Sequence, residues 1–143
     1  MIRAYQPDDL EPLMAVWLAA SRVGHPFLSA EQLVKDRIEI IEKYIPIARQ
    51  WVVELDGVIV GFIAMLDNHI GGLFVDPTHH RRGIGAALVA HIKLMHERLT
   101  VNVFRDNHNG IAFYESVGFV CLQEQTCTHT GLPELLMEMD NRA

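Results

Sequence analysis

The sequence predicts an α/β (α+β) fold, a mixed β-sheet flanked by about four helices, from three observations. Helical and strand periods alternate along the whole chain. A strand, a glycine turn, a helix and a second strand follow one another at its centre, implying a right-handed parallel crossover. No linker, repeat or low-complexity stretch interrupts the alternation. At 143 residues, one domain spanning 1–143 is expected, long enough to bury a core without a disulfide or metal.

Ile2 to Tyr5 make a short first strand. Pro7-Asp8-Asp9 opens a helix with Leu10, Leu13, Met14, Trp17 and Leu18 on one face, and Gly24-His25-Pro26 breaks it. Ser29, with Gln32 three residues on, has the form of a capping box and starts a second helix. Its apolar line is Val34, Ile38, Ile41 and Ile45, and Pro46 ends it. The period then shortens. Trp51–Leu55, the turn Asp56-Gly57 and Val58–Leu66 read as a β-hairpin. A strand follows over Ile70–Val75, with Gly71-Gly72 marking a bulge, a close approach of ligand or a simple bend. Gly83 to about Arg98 is expected to be helical, with Leu88, Ile92, Met95 and Leu99 in line. Leu99–Phe104 is a strand, and Asn107–Val117 a helix closed by Gly118. Phe119–Thr128 and Leu135–Met139 supply the last two strands.

Composition excludes several classes. A net charge of −6 argues against nucleic acid, whose phosphates need a positive field, and suits a cationic partner such as an amine. No apolar run approaches the roughly 20 residues that span a bilayer, and the N-terminus lacks a leader pattern, so no membrane partner and a cytoplasmic location are expected. Cys121 and Cys127 read as free thiols. The eight histidines show no metal-ligand spacing, so no metal is expected.

The most informative stretch runs from Leu73 to Leu88, where a strand gives way to Arg81-Arg82-Gly83-Ile84-Gly85-Ala86 and a helix begins. The first-turn N–H groups of a helix have no internal partners and sit at the positive end of its dipole. Glycines let the backbone approach a phosphate, and two arginines add charge. A dinucleotide fingerprint is disfavoured, because Leu88 stands where a third glycine belongs and no acidic residue follows at the right distance. A triphosphate loop would need Gly-Lys-Ser/Thr, which does not occur. A flexible helix start with a solvated arginine pair is the plain alternative. Downstream, Asn107 and Tyr114 stand seven apart, two helical turns, and project from nearly the same face.

Together these segments resemble the GNAT superfamily of N-acetyltransferases. The resemblance rests on a strand ending in Val75-Asp76-Pro77, a turn with Gly83-Ile84-Gly85, and Asn107 followed by Tyr114 and then Gly118-Phe119. His80 departs from the pattern, which carries Gln or Arg three residues before the first glycine. The Gly24-His25-Pro26-Phe27 segment is similar to small bacterial members, some of which look like protein-lysine acetyltransferases.

The resemblance implies a centrally splayed sheet and acetyl-CoA as cosubstrate. It further implies direct transfer, through a ternary complex, to a primary amine of a small molecule or a protein (lysine or N-terminus). Backbone at Phe74 and Val75 is expected to meet the pantetheine arm. Arg81, Arg82, Gly83, Ile84, Gly85 and Ala86 would hold the pyrophosphate, Asn107 would contact the cofactor arm, and Tyr114 would act as general acid. A non-catalytic acyl-CoA sensor is the alternative, and a homodimer is left open.

For the general base, His69 has a suitable pKa and shares the parity of Val75, which predicts the same face of the strand. A plain surface histidine is the competing reading. His25 and Phe27 lie in the loop expected over the acceptor, and His25 is a second candidate base. Glu54 and Asn102 are strand residues expected near the cleft, and water-mediated deprotonation needs no dedicated base.

Overall fold

The computed structural model describes residues 1–141. Its elements are β1 (Ile2–Ala4), α1 (Leu10–Gly24), α2 (Ala30–Glu39), β2 (Arg49–Leu55), β3 (Val58–Leu66), β4 (His69–Val75), α3 (Ile84–Lys93), β5 (Arg98–Phe104), α4 (His108–Ser116), β6 (Val120–Thr126) and β7 (Pro133–Asp140). The seven strands form one sheet ordered β1-β2-β3-β4-β5-β7-β6. Every neighbouring pair is antiparallel except β4 with β5, which α3 joins as a parallel crossover.

The β2–β3 hairpin forms where expected. Asp56 and Gly57 both take positive φ (50° and 79°), so the turn's twist matches that of the strands it joins. Alternation along the strands then feeds two cores. Val52, Ile59 and Phe62 face α1, where Leu13, Met14 and Trp17 are buried. Trp51, Val53 and Ile63 face the other way, against Leu88, Val89 and Ile92 of α3 and Tyr114 and Phe119. Beneath α1, the Arg3 guanidinium grips the Asp9 carboxylate with two bonds (2.8 and 3.0 Å) and reaches Glu54 at 3.0 Å, tying β1 and β2 to the start of α1.

The sheet splays at its centre. β4 and β5 pair only at His69–Thr100 and Ile70–Val101, and beyond that the two strands share no further rung. Next to the last rung, Ala64 faces Gly72 while Met65 faces Ile70, so Gly71 is an extra residue: a bulge. An extra residue reverses parity. His69 therefore sits opposite Leu66, on the Phe62 and Phe74 face, whereas Val75 sits opposite Gly61 on the other face. The shared face expected for His69 and Val75 is thus corrected.

Two helices also differ from expectation. Ser29 caps α2, accepting from the Gln32 amide at 3.0 Å, but Val34 and Ile38 are 60% and 51% exposed. A π-helical turn over Ile40–Tyr44 adds a residue and rotates the chain beyond it. Ile41 and Ile45 of the expected line do pack on the core, joined by Leu33 and Ile40 in place of Val34 and Ile38. Helix α3 stops at Lys93 rather than near Arg98. The Asn141 side chain donates to the Lys93 carbonyl and the Asn141 amide to Glu97, while Arg98 pairs with Asp140 in the sheet. Those partners claim the backbone that a longer helix would need.

Candidate functional site

The glycine turn after β4 forms in a specific way. After β4, the Asp76 carboxylate accepts from the Thr78 amide at 2.9 Å and starts a 3-10 turn over Pro77–His79. His80 folds back, and its Nε2–H donates to the Val75 carbonyl at 2.8 Å. Arg81 and Gly83 then take left-handed backbone (φ 64° and 78°), and α3 begins at Ile84. The first-turn amides face a cleft of about 680 Å3 that Val75, Arg81, Gly83, Ala86, Asn107 and Tyr114 help to line.

A Cβ at Gly83 would meet nothing within 4 Å, so the backbone there is open to a ligand. At Gly85 a Cβ would lie 3.0 Å from the Phe113 ring, so this glycine serves the packing of α3 on α4. Arg82 is absent from the cleft wall and lies 3.3 Å from His79 Nδ1.

Helix α4 brings two of the expected site residues, Asn107 and Tyr114, to the same cleft. Asn107 is its N-cap: Oδ1 accepts from the Gly110 amide at 2.9 Å, leaving Nδ2 3.3 Å from His25 Nε2. Tyr114 is 7% exposed, and burial pushes its phenol pKa up. Among the described residues, no side-chain nitrogen or oxygen sealed from solvent lacks a partner. The Tyr114 hydroxyl has no partner among the described residues and so is not sealed, and Tyr114 lines the cleft.

A second cleft, about 340 Å3, opens on the α1–α2 face. Trp17, Leu33 and Phe62 give it apolar walls, and Asp36 and Glu39 stand on its α2 side. Among the described residues, no lysine or arginine lines it. Its rim is latched where His129 lies 3.3 Å from the Tyr44 hydroxyl and 3.4 Å from the Glu39 carboxylate. His69 lines this cleft and not the first. Its Nδ1 is 2.7 Å from the Thr100 hydroxyl, and desolvation lowers its pKa, opposed by the charge of Glu134.

The two clefts meet. His25, Gly71, Gly72, Phe74, Asn102 and Phe104 line both, at the wedge that the splayed strands leave open. The His25 ring packs edge-on against Phe104 (centroids 5.0 Å) and Phe74 (6.4 Å). Phe27 lines neither cleft and packs behind, 5.7 Å from His25 and 5.4 Å from Phe104. Glu54 is likewise in neither wall, being held by Arg3. Sequence reasoning gave no role to Gln50, buried in the second cleft's wall, nor to Thr100 and His129, whose partners lie 31 and 85 residues away.

A splayed mixed sheet whose fourth strand leads through a glycine turn into a helix is the arrangement of acyltransferases of the GNAT class. The chain belongs to that family: its residues 46–121 match the acetyltransferase (GNAT) domain. It is 33% identical over 139 residues to the peptidyl-lysine N-acetyltransferase YiaC of Escherichia coli (strain K12), covering 96% of this chain and 94% of the relative. The solution structure of apo-form YjaB from Escherichia coli superposes with a TM-score of 0.85 at 30% identity, covering 96% and 95% of the two chains. The fold is shared with the PaiA N-acetyltransferase of Thermoplasma acidophilum, solved in complex with coenzyme A (TM-score 0.82, 20% identity, 98% of each chain).

Proposed function

We propose that this acetyltransferase moves an acetyl group from acetyl-CoA to a protein lysine by direct transfer in a ternary complex. One observation carries the reading: two clefts, one from each face of the sheet, meet in the wedge between β4 and β5. Such a passage lets a donor and an acceptor approach from opposite sides without a covalent enzyme intermediate. The residues fit an acyl-CoA: open backbone at Gly83, free helix-start amides and Arg81 suit a pyrophosphate. Ile84, Gly85 and Ala86 complete that turn, while Phe74, Val75 and Asn107 line the path onward to the wedge. Bound there, acetyl-CoA supplies the activated acyl group.

The chain's own groups account for the protons. An alkylammonium with a pKa of about 10 must lose a proton before it can attack. His69 is neutral at neutral pH and faces the acceptor cleft, which suits it to receive that proton. Tyr114 stays protonated because burial raises its pKa, so it holds a proton for the departing thiolate, although the same burial makes it a weaker acid than a free phenol. Asp36 and Glu39 would draw the ammonium in, and the apolar walls would take the lysine stem. The peptidyl-lysine activity named for YiaC agrees with this acceptor. Residues 1–143 would act as a single catalytic domain.

A sensor that only binds acyl-CoA needs neither a second cleft nor an unsealed hydroxyl at the first. Release of free thiol from acetyl-CoA, screened against lysine peptides, polyamines and amino acids, tests the proposal. Turnover is expected with lysine peptides. Calorimetric binding of acetyl-CoA with no turnover on any amine would instead make the chain a sensor.

A further inference from the structure

We propose that His25 works as a neutral hydrogen-bond donor to the acyl oxygen, its tautomer set by Asn107, and not as the base. The inference rests on the acyl-transfer function proposed for the two clefts. It starts from an amide whose orientation is fixed. Asn107 Oδ1 accepts the Gly110 N–H at 2.9 Å, so the group facing His25 at 3.3 Å is the amide's NH2, which can only donate. His25 Nε2 must then accept, and the proton of a neutral imidazole lies on Nδ1.

The surroundings keep the ring neutral. Phe27, Phe74 and Phe104 pack around it, and no charged side chain acts on it. Desolvation alone lowers its pKa to about 4. Nδ1 has no partner among the described residues, and no sealed side-chain nitrogen there is unpartnered, so Nδ1 is reachable from solvent. His25 is one of the residues that line both.

Chemistry then selects what it meets. Where acetyl donor and amine come together, the attacking nitrogen must aim its lone pair at the acyl carbon, which leaves nothing for a donor to bond. The acyl oxygen, which gains negative charge as the C–N bond forms, is the acceptor available to Nδ1–H. No proton is transferred to or from His25 in this role. The base remains another group.

Two variants separate the ring's two edges. In His25→Gln the side-chain amide reaches the Nε2 position and can still accept from Asn107, but the Nδ1–H is lost. In His25→Asn the amide stands at the Nδ1 position and keeps a donor there. His25→Gln is expected to lower kcat by about 10- to 100-fold with little change in KM for acetyl-CoA, and His25→Asn to lose markedly less. Unchanged kcat in His25→Gln, or a larger loss in His25→Asn, would overturn the proposal.

Long-range proton–nitrogen spectra of the unaltered protein give a readout free of turnover and of any folding defect. They should show a protonated Nδ1 and a bare Nε2 between about pH 5.5 and 8. A proton on Nε2, or an imidazolium titrating in that range, would refute it. If the protein acetylates no amine, the functional reading fails while the tautomer stands or falls on the spectra alone.

Discussion

His69 Nδ1 and the Thr100 hydroxyl lie 2.7 Å apart, on the first of the two rungs that β4 and β5 share before they diverge. The bond holds the imidazole at the closed end of the wedge, where His69 lines the second cleft. If His69 is the base, kcat/KM should fall on acidification with a midpoint below histidine's ordinary value, since burial lowers its pKa. His69→Ala should lower kcat/KM for a lysine peptide about 10²-fold and abolish that limb. Thr100→Val should cost less and shift the limb. A pH profile identical in His69→Ala and the parent would remove His69 from the mechanism.

Tyr114 should act on turnover and not on cofactor binding. Its ring is wedged between Phe113 and Phe119 (centroids 5.1 and 5.2 Å), so Tyr114→Phe keeps the packing and removes only the hydroxyl. Steady-state kinetics should show kcat down about 10²-fold with KM for acetyl-CoA changed far less. Unchanged turnover would exclude the phenol as the acid.

These two assignments were not equally legible in the sequence. Asn107 and Tyr114 reveal themselves by local spacing, as do the Asp56-Gly57 turn and the glycines after β4, because helix period and turn chemistry act within a few residues. The face of His69 was not legible. It depends on Gly71 being left unpaired against β3, a matter of register between strands. The buried face of α2 was not legible either, since Leu33 packs on the core beside an exposed Val34. The Asn107–His25 bond joins residues 82 apart and has no local signal.

Gly83 tests the anion turn separately from the chemistry. Its φ of 78° is costly for any residue with a Cβ, although no neighbour would touch one. Gly83→Ala should therefore cost about 1 kcal/mol of stability in denaturant unfolding. It should also raise KM for acetyl-CoA several-fold, because the methyl group projects where the phosphates would lie, with kcat nearly unchanged. A stable variant with an unaltered KM would place the pyrophosphate elsewhere.

His25 also predicts how stability depends on pH. Its pKa is about 4 when folded against 6.5 ordinarily, so the unfolded chain binds a proton that the native ring refuses. Native stability is therefore fully present above about pH 6.5 and declines as pH falls toward 4, below which this residue adds no further slope. The loss is on the order of 3 kcal/mol over that window. His69, whose pKa is also lowered by burial, adds to the decline in the same direction. The depressed carboxylates Asp9 and Asp76 act lower: their stabilisation is present above the ordinary value of 3.8 and is lost as pH falls below it. Urea unfolding between about pH 7 and 4 should thus give a steeper slope for the parent than for His25→Asn, whose amide does not titrate. Equal slopes would mean that His25 accepts a proton in the native state, and the burial that keeps it neutral would be disproved.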